Sequence, residues 1–343
     1  MAFANANYSG MLATTIENRS ATVADNVTNN NALLRRLNQR GNVKTFSGGH
    51  KILQEISFAE NKNAGWYSGY DLLPVGVSDV ISAAEFEIKQ AAVPVVMSGL
   101  EMIQNSGKEA IIDLMEARLK VAESTMSNLL VGGLYSDGTG SNGKQVTGLN
   151  LAVPLDPSTG TYGGINRANY TMWQSAISDN TSAAVTSSTI QGLWNTLWAS
   201  LVRGQDRPDL IVCDSGVWGT YMASLQATQR FSNTNDADAG FVTVKFMDAD
   251  VVLDGGMYGT HAATDLPAGD FVSGATGAPA GTAFFLNTDY LHWRPHARRN
   301  MVPLSPNRRY ATNQDAEVQI MAWAGNLTCS GAKFQGRFDA NGS

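Results

Sequence analysis

Ser106-Gly-Lys-Glu-Ala-Ile-Ile-Asp-Leu-Met-Glu-Ala-Arg-Leu-Lys-Val-Ala-Glu-Ser-Thr-Met-Ser-Asn-Leu-Leu-Val-Gly-Gly133 is the stretch from which the rest of the chain can be read. Ile112, Met115, Leu119, Ala122, Met126 and Leu129 recur at spacings of three and four, which puts them on one helical face. Glu116 and Lys120 make a favourable pair one turn apart on another face. Ser106-Gly-Lys-Glu109 fits a capping box at the start, and Gly132 and Gly133 are expected to stop the helix. The pattern predicts a helix over about 107–131, a rod of about 38 Å at ~1.5 Å per residue. Ser98-Gly-Leu-Glu101 carries a second capping pattern and predicts a short helix before the long one.

Toward the N-terminus, residues 46–97 read as extended. Ile52, Ile56 and Phe58 alternate with polar residues, and Ala84, Phe86 and Ile88 do the same, as strands with one covered face require. Between them lies Asn63-Ala-Gly-Trp-Tyr-Ser-Gly-Tyr-Asp71, rich in turn formers and aromatic side chains, and Pro74 and Pro94 punctuate the run. Two long strands around a glycine-rich middle predict a protruding hairpin. A hairpin alone is marginal in water, so this one is expected to lie on a neighbour. Residues 1–45 lack steady periodicity until Asn31. Leu33, Leu34 and Leu37 with Arg35, Arg36 and Arg40 then make a turn or two of amphipathic helix. The whole segment reads as an arm ordered only by a partner.

Toward the C-terminus, residues 134–186 read as loop-rich and then weakly helical. Ile190, Leu193, Leu197 and Leu201 predict a helix over 189–202, and Asp209-Leu-Ile-Val-Cys-Asp214 a strand buried on both faces. A second helix is expected over 217–225, with strands over 241–246 and 251–253. This order argues for a small α/β unit around a central sheet. Residues 282–293 read as one further strand, and 317–324 and 327–334 as two more that need partners elsewhere.

Composition narrows the function classes. The chain has 343 residues, 43% apolar and only 16% charged, against roughly 25% charged in ordinary soluble domains. That apolar content excludes a disordered chain. No apolar run approaches the ~18 residues of a membrane helix; the longest candidate, Ala91–Met97, contains Pro94. No apolar block follows the first basic residue, Arg19, so no secretory signal is expected. A net charge of −6 speaks against a protein that grips nucleic acid along an extended surface. Cys213 and Cys329, two isolated cysteines, suit a reducing compartment. A surface short of Lys and Glu is poorly defended against self-association, which points to burial between subunits.

The motifs that suggest chemistry have blander readings. Gly138-Thr-Gly-Ser-Asn-Gly143 runs into Lys144 like a phosphate-binding loop. Such loops sit between a strand and a helix N-terminus, whereas this one follows a long helix and has Gln145 where Mg²⁺ coordination wants Ser or Thr. It reads as a flexible turn. His292 and His296 are four apart, but in a strand-like run, and read as solvated or stacked rings rather than zinc ligands. Asp248-Ala-Asp250, Asp236 and Asp238 read as turn-forming carboxylates. No Ser or Cys stands in a nucleophile signature, and Cys213 reads as core. No catalytic residue, cofactor or metal is therefore expected. Arg294, Arg298, Arg299, Arg308 and Arg309 form the one basic cluster, which on an acidic chain reads as ion pairing between subunits.

Taken in order, an arm, a long two-stranded loop, one long helix, Asp137-Gly-Thr-Gly140, Gly148-Leu149-Asn150, a small α/β unit and terminal strands resemble the major capsid proteins of tailed bacteriophages, which share the Hong Kong-type fold. Trp66-Tyr-Ser-Gly-Tyr-Asp71, Gly133-Leu-Tyr-Ser-Asp-Gly-Thr-Gly140, Lys144-Gln-Val-Thr-Gly-Leu149 and Gly160-Thr-Tyr-Gly-Gly-Ile165 look like strings of one phage subfamily. The resemblance implies an α+β capsid fold: an N-terminal arm (1–45), an extended loop (46–97), a peripheral domain (98–186 and 291–343) with the long helix as its spine, and an axial domain (187–290). It implies a structural virion protein, not an enzyme. Copies would form hexamers and pentamers of an icosahedral shell that packages double-stranded DNA without reading its sequence. Only about 45 residues precede the loop, so the scaffold is expected to be a separate protein, with a portal and optionally a decoration protein as further partners. The shell would assemble in the host bacterial cytoplasm and persist in the virion. Trp66, Tyr67, Tyr70 and Asp71 in the loop, with Arg294, Arg298 and Arg299, are the candidate contacts between subunits. Some relatives crosslink Lys to Asn; Lys62 and Lys89 have no recognisable catalytic carboxylate beside them in sequence, so no crosslink is expected. Encapsulin-type compartments share this fold and are the alternative, to be separated by what purified particles contain. An α/β enzyme is the remoter rival, which nucleotide-dependent stabilisation would support.

Overall fold

The computed structural model describes residues 31–59, 61, 63–72, 75–77, 80–100, 108–180, 184–226, 243–254, 277–304, 309–310 and 316–340. Expectations placed on residues 1–30, Lys62, Pro74, Asp236, Asp238 and Arg308, and on the Glu101 and Ser106 ends of the two capping boxes, lie outside these residues. So do the side chains of Ile112, Met115 and Glu116.

In chain order the elements are α1 (Ala32–Gln39), β1 (Lys51–Ser57), β2 (Ile81–Glu87), β3 (Lys89–Ser98), α2 (Lys108–Leu134), β4 (Thr161–Tyr162), β5 (Ile165–Asn166) and β6 (Ala176–Asp179). Then come α3 (Ile190–Leu201), β7 (Leu210–Cys213), α4 (Ser215–Gln226), β8 (Thr243–Phe246), β9 (Ala249–Leu253), β10 (Thr282–Leu286) and β11 (Leu291–Pro295). The chain closes with β12 (Val302–Pro303), β13 (Arg309–Tyr310), β14 (Ala316–Cys329) and β15 (Gly336–Asp339).

The long helix α2 has 27 residues and buries Leu119, Ala122, Met126, Leu130 and Leu134 as one stripe, with Leu129 half-buried beside it. It does not stop at Gly132 and Gly133 but runs through them. These glycines serve close packing. A Cβ on Gly133 would stand 3.4 Å from the Cβ of Val146, and one on Gly148 would fall on the carbonyl oxygens of Gly133 and Leu134. The returning chain thus touches the helix backbone, where no side chain fits.

α2 packs on β3, an edge strand paired along its length with β14 from Lys89↔Gly325 to Ser98↔Ala316. An edge position tolerates Pro94, which has no N–H to donate to a further neighbour. β14 also pairs with β11, β12 and β13. It is one strand of 14 residues, where two were expected. Gly325, between the two expected strands, sits within the ladder, and a side chain there would meet the Arg294 carbonyl at 2.5 Å and the Trp323 ring at 2.7 Å.

The second sheet has six strands in the order β6-β15-β10-β7-β9-β8, with β6–β15 and β7–β9 parallel. Its strands alternate between two cores. Ile211, Cys213, Ala283, Phe285 and Phe338 pack with α3 and α4 around Trp194, while Leu210, Val212, Phe284, Leu286 and Val252 join the larger core that includes α1 and α2. Cover on both faces is why β7 reads as continuously apolar. The expected 282–293 strand is two strands in different sheets, separated by a 3-10 turn over Thr288–Tyr290 whose Asp289 N–H is capped by the Asn287 side chain. The expected strand over 327–334 is replaced by the end of β14 and a 3-10 turn. The last strand, β15, lies in the six-stranded sheet rather than beside the long helix.

The arm expectation needs correction. α1 is docked on its own chain: Leu33, Leu34 and Leu37 are fully buried in the larger core. Asn31 caps the helix, accepting from the N–H groups of Leu33 and Leu34. Arg36 pairs with Asp209 at 3.1 Å and Asp250 at 3.3 Å, and Arg40 with Asp209 at 3.2 Å and Asp289 at 2.5 Å. Acidic side chains at the ends of β7 and β9 and in the turn before β11 thus receive the helix's basic face.

Candidate assembly surfaces

The β1–β2 hairpin has a foot and a tip with different surroundings. Register Lys51↔Glu87 to Ser57↔Ile81 turns Ile52, Gln54 and Ile56 with Ala84 and Phe86 to one buried face. That face lies on the hairpin's own chain, which corrects the expectation that the whole hairpin needs a neighbour. Phe86 packs edge-on to Tyr162 with centroids 5.1 Å apart, and Tyr162 stacks on Trp173, whose indole N–H donates to the Tyr162 carbonyl at 2.9 Å. The Glu85 N–H donates to the Gly163 carbonyl at 2.9 Å. Gly163 has φ +58°, and a Cβ there would stand 3.0 Å from Ala84 and Phe86, so both conformation and space require glycine.

The tip carries Trp66, Tyr67, Tyr70, Leu72, Val75 and Val77, all exposed. Asp71 is exposed too, and its carboxylate braces the turn by accepting from the Ser68 N–H at 2.9 Å, while the Asp71 N–H donates to the Ser68 carbonyl at 2.9 Å. Between foot and 163–172 segment lies an open groove of about 520 Å³, lined by Ile56, Phe58, Ile165, Asn169, Tyr170 and Met172 among others. A smaller cavity of about 210 Å³ lies among β3, α2 and the 141–146 loop.

The arginine cluster divides. Arg294 is half-buried on β11 and donates to the Gln54 side chain at 2.8 Å, a bond to the hairpin foot of its own chain. Arg298 and Arg299 are exposed. Arg309 stands on β13, and the side chain of that residue lies outside the described ones.

The Gly138–Gly143 loop follows α2 and forms a tight left-handed turn, with Ser141, Asn142 and Gly143 all at positive φ. Lys89 donates to the Gly143 carbonyl and pairs with Glu87, both at 2.7 Å. A carboxylate thus does stand beside Lys89, and the ammonium holds it below the usual carboxylate range. His292 is buried on β11, and burial pulls its imidazole down to about 4. His296 packs edge-on to Phe46 with centroids 5.0 Å apart. Asp248 pairs with Arg207 at 2.7 Å. Both cysteines are buried, and burial raises both thiols. Among the described residues there is no group of three or more metal-ligating side chains, and no helix long and apolar enough to cross a membrane.

Three further side chains are buried: Trp194, Arg167 and Arg337. Trp194, four residues before Trp198 and so on the same face of α3, stacks on Tyr221 and meets Phe246, Phe285 and Phe338 edge-on. The i,i+4 tryptophan pair was the available signal. Arg167 is buried over the Tyr162 ring, and its guanidinium donates to the carbonyls of Leu151 and Ala152. Arg337 pairs with Asp339 at 2.9 Å, both buried. Nothing in the local sequence distinguishes these arginines from surface ones.

No protein family matches the chain by sequence, and no curated protein does. Solved structures match along most of it. The capsid asymmetric unit of cyanophage A-1(L) aligns over 88% of this chain and 91% of its own at 15% identity, with a TM-score of 0.62. The capsid of a native GTA particle aligns over 88% of each chain at 13% identity and 0.55. The SrpI encapsulin of Synechococcus elongatus PCC 7942 aligns over 89% of this chain and 87% of its own at 8% identity and 0.51. The chain therefore has the Hong Kong-type capsid fold that its element order resembles.

Proposed function

We propose that the chain is a major capsid subunit: copies form hexamers and pentamers of a closed icosahedral shell that packages double-stranded DNA. The observation that carries this is the fold, shared over nearly nine-tenths of the chain with capsid proteins. The exposed aromatic tip supports it, because a surface so apolar is characteristic of interaction sites. The subunit's role is structural, not enzymatic. The unit built on the six-stranded sheet meets its copies around the five- and six-fold axes, and the unit built on α2, β3 and β14 lies at the periphery. One chain in both ring types needs contacts that repeat and tolerate small rotations. Each contact can be modest, since many act together in a closed shell. Trp66, Tyr67 and Tyr70 supply apolar contact between subunits, and Arg298 and Arg299 polar contact. A separate scaffolding protein, a portal and optionally a decoration protein complete the assembly, in the cytoplasm of a bacterial host, and the product is the virion head.

Negative-stain electron microscopy of the chain, produced with and without the proteins encoded beside it, tests the reading. Closed shells tens of nanometres across are expected. A small monodisperse species under both conditions would refute it. The encapsulin likeness makes a compartment shell the second reading; nuclease-protected DNA inside purified particles favours the capsid, and enclosed protein cargo favours the compartment.

A further inference from the structure

We propose that Thr328 and Gln54 join covalently within one chain: the threonine hydroxyl displaces ammonia from the glutamine carboxamide, and the resulting ester ties the hairpin foot to β14. The two residues are 274 positions apart. They meet because the buried face of β1 lies on the β11–β14 ladder. The buried positions of β1 are Ile52, Gln54 and Ile56, so a carboxamide stands where the alternation calls for an apolar side chain. Burying such a group costs free energy unless it is well partnered, and its partners here are specific. The Arg294 guanidinium donates to Gln54 Oε1 at 2.8 Å, and Thr328 Oγ stands 3.4 Å from the same oxygen. The carbonyl carbon is one bond, about 1.2 Å, from that oxygen. A small side-chain rotation therefore brings the hydroxyl to the ~3–3.5 Å separation from which bonds form.

The surrounding groups supply what the step needs. Thr328 Oγ also faces the His292 carbonyl at 3.4 Å; both contacts exceed the ~2.7–2.8 Å of a settled O–H···O bond, so neither restrains the hydroxyl. His292 stands directly across the ladder from Thr328, and facing residues carry their side chains on the same side of the sheet. Its Nδ1 is buried with no partner among the described residues, and burial keeps the imidazole neutral, able to accept a proton. Arg294 stabilises the oxygen on which negative charge builds. The Gln54 amide nitrogen, the leaving group, makes no hydrogen bond among the described residues. In the reaction Thr328 Oγ bonds to Gln54 Cδ and the Cδ–Nε2 bond breaks. The hydroxyl proton passes by way of His292 Nδ1 to the departing nitrogen. Hydroxyl and carboxamide become ester and ammonia, with no oxidant or cofactor. Ammonia leaves to solvent, and the buried site excludes the water that would hydrolyse the product. The ester closes a loop of most of the chain, which restricts the unfolded state, and it fixes the base from which the hairpin projects.

Mass spectrometry of a tryptic digest of the purified full chain tests this, whether or not the chain forms shells. Cleavage after Lys51, Lys62, Arg309 and Lys333 places Gln54 in residues 52–62 and Thr328 in residues 310–333. These are expected as one joined peptide, lighter by one ammonia than the two together. Hydroxylamine, which cleaves esters but not amides, should split it and leave a hydroxamate on Gln54. Thr328→Ser should keep the link, and Thr328→Val and Gln54→Met should lose it. In chains followed after a pulse of isotope label, Arg294→Met should slow its formation roughly tenfold or more, and His292→Gln should slow it too; unchanged rates in both would overturn the chemistry assigned to them. Two separate, unmodified peptides from the folded parent chain overturn the proposal. A joined peptide that resists hydroxylamine, or that persists in Thr328→Val, does so as well. The parent chain alone gives the deciding result, so a variant that fails to fold leaves the test intact.

Discussion

Leu37→Ala should release the arm helix without unfolding the protein. Leu37, with Leu33 and Leu34, is fully buried beneath α1 in the core that also takes one face of the six-stranded sheet. Truncating a buried leucine costs about 2–5 kcal/mol. The helix has only eight residues, too few to persist in water without tertiary contacts. Its ion pairs join partly exposed arginines, with Arg36 and Arg40 side chains 24% and 36% accessible, to the more enclosed Asp209 and Asp250; Asp209 also accepts from Arg40 and from Thr288, so it keeps partners when Arg36 is removed. The leucines therefore dominate the docking, and Arg36→Ala should have the smaller effect. At the lower end of its range, Leu37→Ala raises the undocked population roughly 30-fold. Hydrogen exchange reads this at three amides: Arg35, bonded to the Asn31 carbonyl, Arg40, bonded to Arg36, and Asn42, bonded to Leu37. Exchange at these sites should accelerate by at least that factor, while amides of β7 and β10 keep their protection. Unchanged exchange in Leu37→Ala would show that the helix is not held by its apolar face. Equal acceleration in the sheet would show that the arm is not a separately opening unit.

Three further outcomes follow from the buried groups. Trp194→Ala removes the ring at the centre of the Tyr221, Phe246, Phe285 and Phe338 cluster and should lower stability by about 3–5 kcal/mol, read as a lower urea midpoint with an unchanged slope. Asp339→Asn leaves Arg337 buried without its carboxylate and should cost about 3–5 kcal/mol; combining it with Arg337→Met should recover much of that loss, and additive losses in the double variant would contradict the assignment. His292 is held neutral by burial, with Lys44 and Arg294 nearby, its imidazole at about 4 instead of 6.5. As pH falls from 6.5 toward about 4, the unfolded chain takes up a proton that the folded chain refuses. Stability should therefore drop through that window, and less in His292→Gln than in the parent; parallel curves for the two would exclude His292 as a source.

The sequence by itself determined the elements whose signal is local. The three-and-four spacing from Leu119 to Met126 defined the long helix, the alternation of Ile52 with Ile56 and of Ala84 with Phe86 defined the hairpin, and the unbroken Leu210–Cys213 run announced a strand covered on both faces. In each case the pattern arises from the geometry of a few neighbouring residues. The order of these elements was enough for a resemblance to the capsid fold even though no family model and no curated protein matches by sequence. What only the tertiary structure decided is where each apolar face goes. Leu33, Leu34 and Leu37 read as a face awaiting a partner, because nothing in the arm indicates that Asp209, Asp250 and Asp289 stand ready for Arg36 and Arg40. Gly132 and Gly133 read as a stop, because a glycine that ends an element and one that admits a neighbouring backbone are the same residue. The Arg294 guanidinium, bonded to Gln54 across 240 positions of chain, shows in sequence only as one member of a basic cluster suited to ion pairing between subunits. Periodicity records which side of an element is covered; the identity of the covering residues depends on chain reversals that bring distant positions together, and no local pattern encodes them.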